Sequence, residues 1–499
     1  MLTRLKVNGF KNLVDVDIHF GPFTCVAGRN GVGKSNLFDA IRFLSALTEK
    51  PLMEAALSVR GEGDRSFDVQ TIFHRAGDSQ STQMNFLVEM IIPREGVDHL
   101  GQDARAAITF LRYELDLQLR DQTLTIRRES LTHINLSEAR EHLAFPHSAA
   151  WRRSVVQGRR TVPFISTDSR GSKVYVKLHQ DQGKDYRGGG KPRPHVAERL
   201  PRTVLSDVNA AENATAVLAR QEMRSWRLLQ LEPSALRSPD PYTAPTALAT
   251  NGAHLAATLA RLSKVHRSQP LDEEAPEAGA ITARIANRLA ELIDGVRAVR
   301  VDPDDRRELF TLKLTESDGT EHEARSLSDG TLRFLALAIL ENDPTAQGVL
   351  CLEEPENGIH PERIPAMLRL LSDLAVDPKH QASPENPLRQ VIVNTHSPAV
   401  VAQVQDEDLL VADPVWVTVD STSGMRPSFR WLKDTWRAKA WPKVPALAPG
   451  LVVSYLNPLE PRPTENEDLN NQTESLQKTP RVIDRPDIQM WLPAFHQSQ

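Results

Sequence analysis

The chain has 499 residues, 40% of them hydrophobic and 25% charged, so it is long enough for two or more domains with a full core. A net charge of −5 excludes nucleic-acid attraction by the overall field and confines any such contact to a local patch. Only Cys25 and Cys351 occur, each in an apolar run, which excludes a disulfide or cysteine–metal framework.

In chain order, Leu2 to Asn8 and Val14 to Phe20 alternate like two strands of a hairpin, with no signal-peptide core at the start. Phe23 to Ala27 is a short apolar run, read as a buried strand. The spacing from Asn36 onward predicts a helix to about Leu47. Phe67 to Phe73, Met84 to Ile92, Arg112 to Leu119 and Leu124 to Glu129 read as strands. From 131 to 300 the character changes. Trp151 to Arg202 carries 13 Lys/Arg against 4 Asp/Glu, including Arg152-Arg153, Arg159-Arg160 and the loop Arg187 to Arg193. Helical spacing follows at Ala210 to Leu229, His254 to Val265 and Ile281 to Ile293. No heptad pattern persists, which argues against a coiled-coil arm.

Val299 to Val301 and Leu309 to Leu314 return to strand character, followed by a helix at Thr331 to Glu341. Gly348 to Leu352 and Gln390 to Asn394 are buried strands flanking a helix at Arg363 to Leu374. Leu409 to Val411 and Val415 to Val419 are two late strands. Beyond about Pro445 the chain is rich in Pro, Asn, Gln and Glu, a composition without a packed core, though Met490-Trp491-Leu492 could dock. No apolar run reaches about 18 residues, so no transmembrane helix and no membrane partner is expected, and a cytoplasmic location follows.

The chemistry starts at Gly28-Arg29-Asn30-Gly31-Val32-Gly33-Lys34-Ser35, with Asn36 opening the helix. Glycines let successive N–H groups curl around phosphate oxygens. Lys34 supplies a point charge for β- and γ-phosphates, Ser35 a hydroxyl for Mg²⁺, and the helix start its positive end. Strand, loop and helix in that order is the context a P-loop requires. Val349 to Leu352 ends in Glu353-Glu354. Two acids at the end of so apolar a strand suit metal holding by Glu353, through a water, and water activation by Glu354. Ser328-Asp329-Gly330 opens a helix and makes a second anion site; by itself it is also an ordinary helix cap. His396 follows Val391 to Thr395 and can meet a γ-phosphate, although a lone histidine is more often a surface or core residue.

Taken together, GRNGVGKS, LSDGTLR, LCLEEPENGIHP and NTHSP in this order resemble the ABC-type ATPases of the SMC/RecF/OLD group. More narrowly, they resemble bacterial AAA-family ATP-binding proteins of the OLD-like kind. The opening Leu5 to Leu13 is similar too, and the resemblance covers about 1–130 and 300–420. It implies an α/β fold, an ABC-type P-loop ATPase head with an inserted basic, partly helical domain. The lobes would be 1–130 and 301–425, the insertion 131–300 and a C-terminal extension 426–499. It implies ATP and Mg²⁺ as cofactors, Gly28 to Ser35 as Walker A and Ser328 to Gly330 as the signature. Glu353 and Glu354 become Walker B, Glu356 to His360 the D-loop, and His396 the switch histidine.

In that family two heads sandwich ATP, so a homodimer or higher homo-oligomer is expected, with Ser328 and Gly330 acting on the partner's nucleotide. Glu353 stands where Asp is common, one methylene longer. The Q-loop glutamine is not clear; Gln70 is the one candidate. Relatives often serve DNA repair or anti-phage defence, many with a Toprim nuclease. No acidic cluster for such a domain follows His396, so an effector, for example a nuclease, would be a separate chain. The 151–202 segment is a candidate for DNA or RNA. It also fits a solvated insertion or a surface for an acidic protein. An ATP-gated scaffold with little turnover is the competing reading.

Overall fold

The computed structural model describes residues 1–60, 68–77, 79–171, 173–181, 192–267, 279–419 and 422–448. The glycine pair Gly61 and Gly63, most of the loop 187–193, and the tail with Met490 to Leu492 lie outside the described residues.

The strands that organise the chain are β1 (Leu2–Asn8), β2 (Val16–His19), β3 (Phe23–Gly28), β4 (Gln83–Ile91), β5 (Phe110–Arg120), β6 (Thr123–His133), β7 (Ile165–Arg170), β8 (Lys173–Leu178), β9 (Arg193–Val196), β10 (Arg227–Leu229), β11 (Val296–Asp304), β12 (Leu309–Glu316), β13 (Gly348–Glu353), β14 (Arg389–Thr395), β15 (Leu409–Val419) and β16 (Thr422–Arg430). The main helices are α1 (Lys34–Ala46), α2 (Ala210–Arg224), α3 (Leu255–Arg267), α4 (Ala280–Ala290), α5 (Asp329–Glu341), α6 (Ile364–Leu374) and α7 (Trp436–Ala440).

Two sheets carry the fold. One is antiparallel, in the order β9-β8-β7-β6-β5-β4-β1-β2. The other runs β10-β13-β14-β3-β15-β16, parallel as far as β15. Parallel strands need cover on both faces, and their apolar runs supply it. Val26, Val349, Cys351 and Ile392 face α1 and the antiparallel sheet. Cys25, Leu350, Leu352, Val391 and Val393 face α5 and α6. The α/β class expected from the sequence is therefore the class observed. A smaller sheet of β11 and β12, backed by α3 and α4, joins the second core.

The segment 131–300 does not stand apart, contrary to expectation. β7, β8 and β9 extend the antiparallel sheet that β1 began, and β10 forms the edge of the parallel sheet beside β13. The described residues, up to 448, belong to one compact unit. The expected helix Ala210 to Leu229 stops at Arg224 because Arg227–Leu229 is taken by the sheet. Of the expected strand Phe67 to Phe73, the described residues 68–73 are not a strand. Asp68 caps a 3-10 turn at Val69–Ile72 by accepting from the Gln70 N–H. Leu409 to Val419 is one strand rather than two. The boundary at 425 cuts β16, and the described residues beyond it, up to 448, include packed side chains. Arg437 is fully buried, its guanidinium donating to the carbonyls of His19 and Glu407 at 3.0 and 2.7 Å.

Candidate nucleotide site

The C-terminal ends of β3, β13 and β14 meet in a cleft of about 560 Å³. It is lined by Asn30, Gly31, Gly33, Lys34, Ser35, Asn36, Glu353, Glu354, Asn357 and Asn394. That is the size of a small-molecule site at the place where open α/β sheets bind ligands. The loop after β3 has the conformation its glycines allow, with φ of +78° at Gly31 and +116° at Gly33. A Cβ on Gly33 would overlap the Asn12 side chain at 2.5 Å. Asn12 is there for a reason: its amide donates to the Val32 carbonyl at 3.1 Å and accepts from Asn36 at 2.8 Å, pinning both sides of the loop.

Lys34 is buried at the start of α1. Its ammonium donates to the carbonyls of Gly28 and Arg29 at 2.6 and 3.0 Å. Burial lowers its pKa, and the charges of Glu354, Glu356 and Glu353 offset only part of that. An anion with several negative oxygens would suit this cradle, since Gly31, Gly33, Lys34 and Ser35 all line the cleft at the start of α1.

The acids are held in distinct ways. Glu353 accepts from Gln230 at 3.0 Å and from Asn394 at 3.3 Å. Glu354 has a left-handed backbone, φ +44°, fixed by its N–H donating to the carbonyl and side-chain oxygen of Asn394. One of its carboxylate oxygens lies 2.6 Å from Nδ1 of His396, and the other accepts from Asn357 at 2.9 Å. Burial raises the Glu354 pKa, but the bonds from Asn357 and His396 and the charges of His396 and Lys34 outweigh it and hold it below the ordinary range. The group is an anion at neutral pH. Glu356 is buried, accepts from the Thr395 hydroxyl at 2.5 Å, and burial raises its pKa.

Among the described residues no cluster of three or more His, Cys, Asp or Glu side chains could hold a metal alone. The donor set in the cleft, the Ser35 hydroxyl and the Glu353 carboxylate, fits a Mg²⁺ that takes its remaining ligands from phosphate and water.

Lys34, Ser35, Asn36, Glu353 and Glu354 are thus brought together, with His396 attached through Glu354. Arg29 and Asn30 sit exposed on the rim, and Val32 packs inward. Ser328, Asp329 and Gly330 are not among the cleft residues. Ser328 caps α5 by accepting from the Thr331 N–H at 3.1 Å, and Gly330 packs against Gly358 beyond Glu354. Arg333 on α5 donates to the Asn357 carbonyl. Gln70 is also outside the cleft. Its amide donates to Gln122 at 3.3 Å. The glutamine that reaches Glu353 is Gln230, directly after β10. A short apolar strand followed by Gln, before Pro233, was the available signal.

The basic segment is partly neutralised. Arg160 pairs with Asp181, Arg170 and Lys177 with Asp168, and Arg193 with Glu212.

A family model described as "AAA domain, putative AbiEii toxin, Type IV TA system" matches residues 197–402, and one described as "AAA domain" matches residues 4–139. The DNA replication and repair protein RecF of Phocaeicola vulgatus is 34% identical over 65 residues, 13% of this chain and 18% of that protein's length. Among solved structures, an SmcHead bound to the C-winged helix domain of ScpA is 14% identical, covering 87% of this chain and 98% of that one, with a TM-score of 0.44. The SMC head domain from Thermotoga maritima is 12% identical, covering 86% and 98%, with a TM-score of 0.35. The AAA match to 4–139 contains the phosphate loop, and the match to 197–402 contains Gln230, Ser328, Glu353, Glu354 and His396. Residues 4–139 and 197–402 are thus each similar to AAA domains.

Proposed function

We propose that this chain is an ABC-type ATPase that binds ATP with Mg²⁺, hydrolyses it, and closes two copies around the nucleotide. The observation that carries this is the convergence of Lys34, Ser35, Glu353 and Glu354 on one cleft while Ser328 to Gly330 stay outside it. A signature outside its own cleft is free to complete the cleft of a second copy. Lys34 and the loop N–H groups bind the phosphates, and Ser35 and Glu353 hold Mg²⁺. Glu354 takes a proton from the attacking water as the β–γ phosphate bond breaks, and His396 orients Glu354.

The cycle would control an effector protein, or DNA or RNA, in DNA repair or anti-phage defence. The repair role named for the RecF relative and the toxin system named in the family description support that setting. Charge pairing within 151–202, of Arg160 with Asp181 and Lys177 with Asp168, supports a protein effector over nucleic acid.

Glu354→Gln is expected to bind ATP normally and to lose turnover by 10²–10³-fold, the scale of a missing general base. Equal steady-state turnover in both proteins would remove the base assignment. One observation favours an ATP-gated scaffold with little turnover: Asn357 and His396 engage both oxygens of Glu354. Turnover measured with and without an added effector separates the two.

A further inference from the structure

The sheet order gives the nucleotide a direction. Glu353 and Glu354 on β13 and His396 after β14 lie on one side of β3. They mark the γ-phosphate end. The rest of a nucleotide held by the loop after β3 therefore leads to the other side, toward β15.

There β15 outruns the sheet. It pairs with β3 only from Leu409 to Ala412, ending with Ala412 opposite Gly28. Residues 413–419 run on beyond that pairing, and among the described residues their strand neighbour is β16. The contact at the root is tight: a Cβ on Gly28 would meet the Ala412 carbonyl at 2.7 Å, the Ala412 side chain at 3.2 Å and Val32 at 3.3 Å. Ala412 therefore points to the Val32 face. Side chains alternate along a strand, and the β15–β16 register has no slip, so Trp416 shares that face, about 13 Å further on. Its cross-strand partner is Met425. Trp416 is 73% exposed and Met425 49%. A large aromatic face beside a flexible thioether stands largely in water on the strand that runs on past Gly28. It suits a flat heteroaromatic ring.

We infer that Trp416, backed by Met425, is the platform on which the adenine base of bound ATP stacks. This rests on the ATP reading above and adds to it the part of the chain that recognises the base. It makes affinity depend on the base as well as on the phosphates.

The test measures binding of ATP and of inorganic tripolyphosphate, each with Mg²⁺, to the full chain. Trp416→Ala is expected to weaken ATP on the order of tenfold, the contribution of one stacked base, and to leave tripolyphosphate unchanged. Trp416→Phe keeps most of the ATP affinity. Lys34→Ala loses both ligands. Unchanged ATP affinity in Trp416→Ala, with loss in Lys34→Ala, overturns the platform and leaves the phosphate site standing. Equal weakening of both ligands in Trp416→Ala also overturns it, because the base would then play no separate part. Full ATP binding by Lys34→Ala removes the loop after β3 as the ATP site, and with it the reading on which the platform rests.

Discussion

Glu129 shows how one buried side chain can tie an antiparallel sheet to a distant loop. It is fully buried on β6 and accepts from the N–H groups of Val204 and Leu205 at 2.8 and 2.9 Å, and from the Tyr113 hydroxyl at 3.2 Å. Burial outweighs those bonds and pushes its pKa up from 4.5 to about 7. The folded chain thus holds a proton between about pH 4.5 and 7 that the unfolded chain releases. Stability contributed by this group is present below that window, falls as pH rises through it, and is level above it. In Glu129→Gln the melting temperature should lose this part of its slope between pH 5 and 7, whatever the offset from an altered hydrogen bond. Parallel slopes in the two proteins would refute the titration. The phosphate loop was legible residue by residue because each position has a local reason. Asn12, Asn357 and Asn394 were not. Each acts by meeting a group far along the chain, and nothing local marks an asparagine for that.

The elements that were readable are those with a long apolar signal: β3, α1, α5, β13 and β14. β10 has three residues, too few for a pattern, and it lies in a stretch whose neighbours are helical. Charge also misled at β7 to β9, where lysines and arginines occupy the exposed positions of real strands and pair with nearby acids. The junction of β10 and β13 depends on one small residue. Gly348 has φ +81°, and a Cβ there would sit 1.8 Å from Oγ and 2.7 Å from Cβ of Ser225, the residue that ends α2. Gly348→Ala combines a left-handed backbone with an overlap, so a loss of about 2–4 kcal/mol is expected. Denaturant unfolding checks it, and a cost below about 0.5 kcal/mol would show that the junction yields.

At the scale of the whole molecule, the proposed shared site has a distinctive signature in mixtures. Lys34→Ala and Ser328→Arg should each be inactive as a homodimer. Mixed, they form heterodimers in which one site carries both lesions and the other carries neither. Recovered turnover on mixing, with activity rising and falling with the mixing ratio, is the expected result. Additive inactivity at every ratio would place both residues in the same site.

The β3 strand sits between β14 and β15, so residues 23–28 find their parallel neighbours only at 389–395 and 409–412. The antiparallel sheet, by contrast, draws β1, β2, β4, β5 and β6 from within residues 2–133. During synthesis at roughly 5–20 residues per second, the strand that carries the phosphate loop waits some tens of seconds for its place. The first lobe can form early, but the nucleotide cradle is among the last structures to close. A nascent chain has no finished pocket, and the wait exposes an apolar segment for which a chaperone would have time to compete.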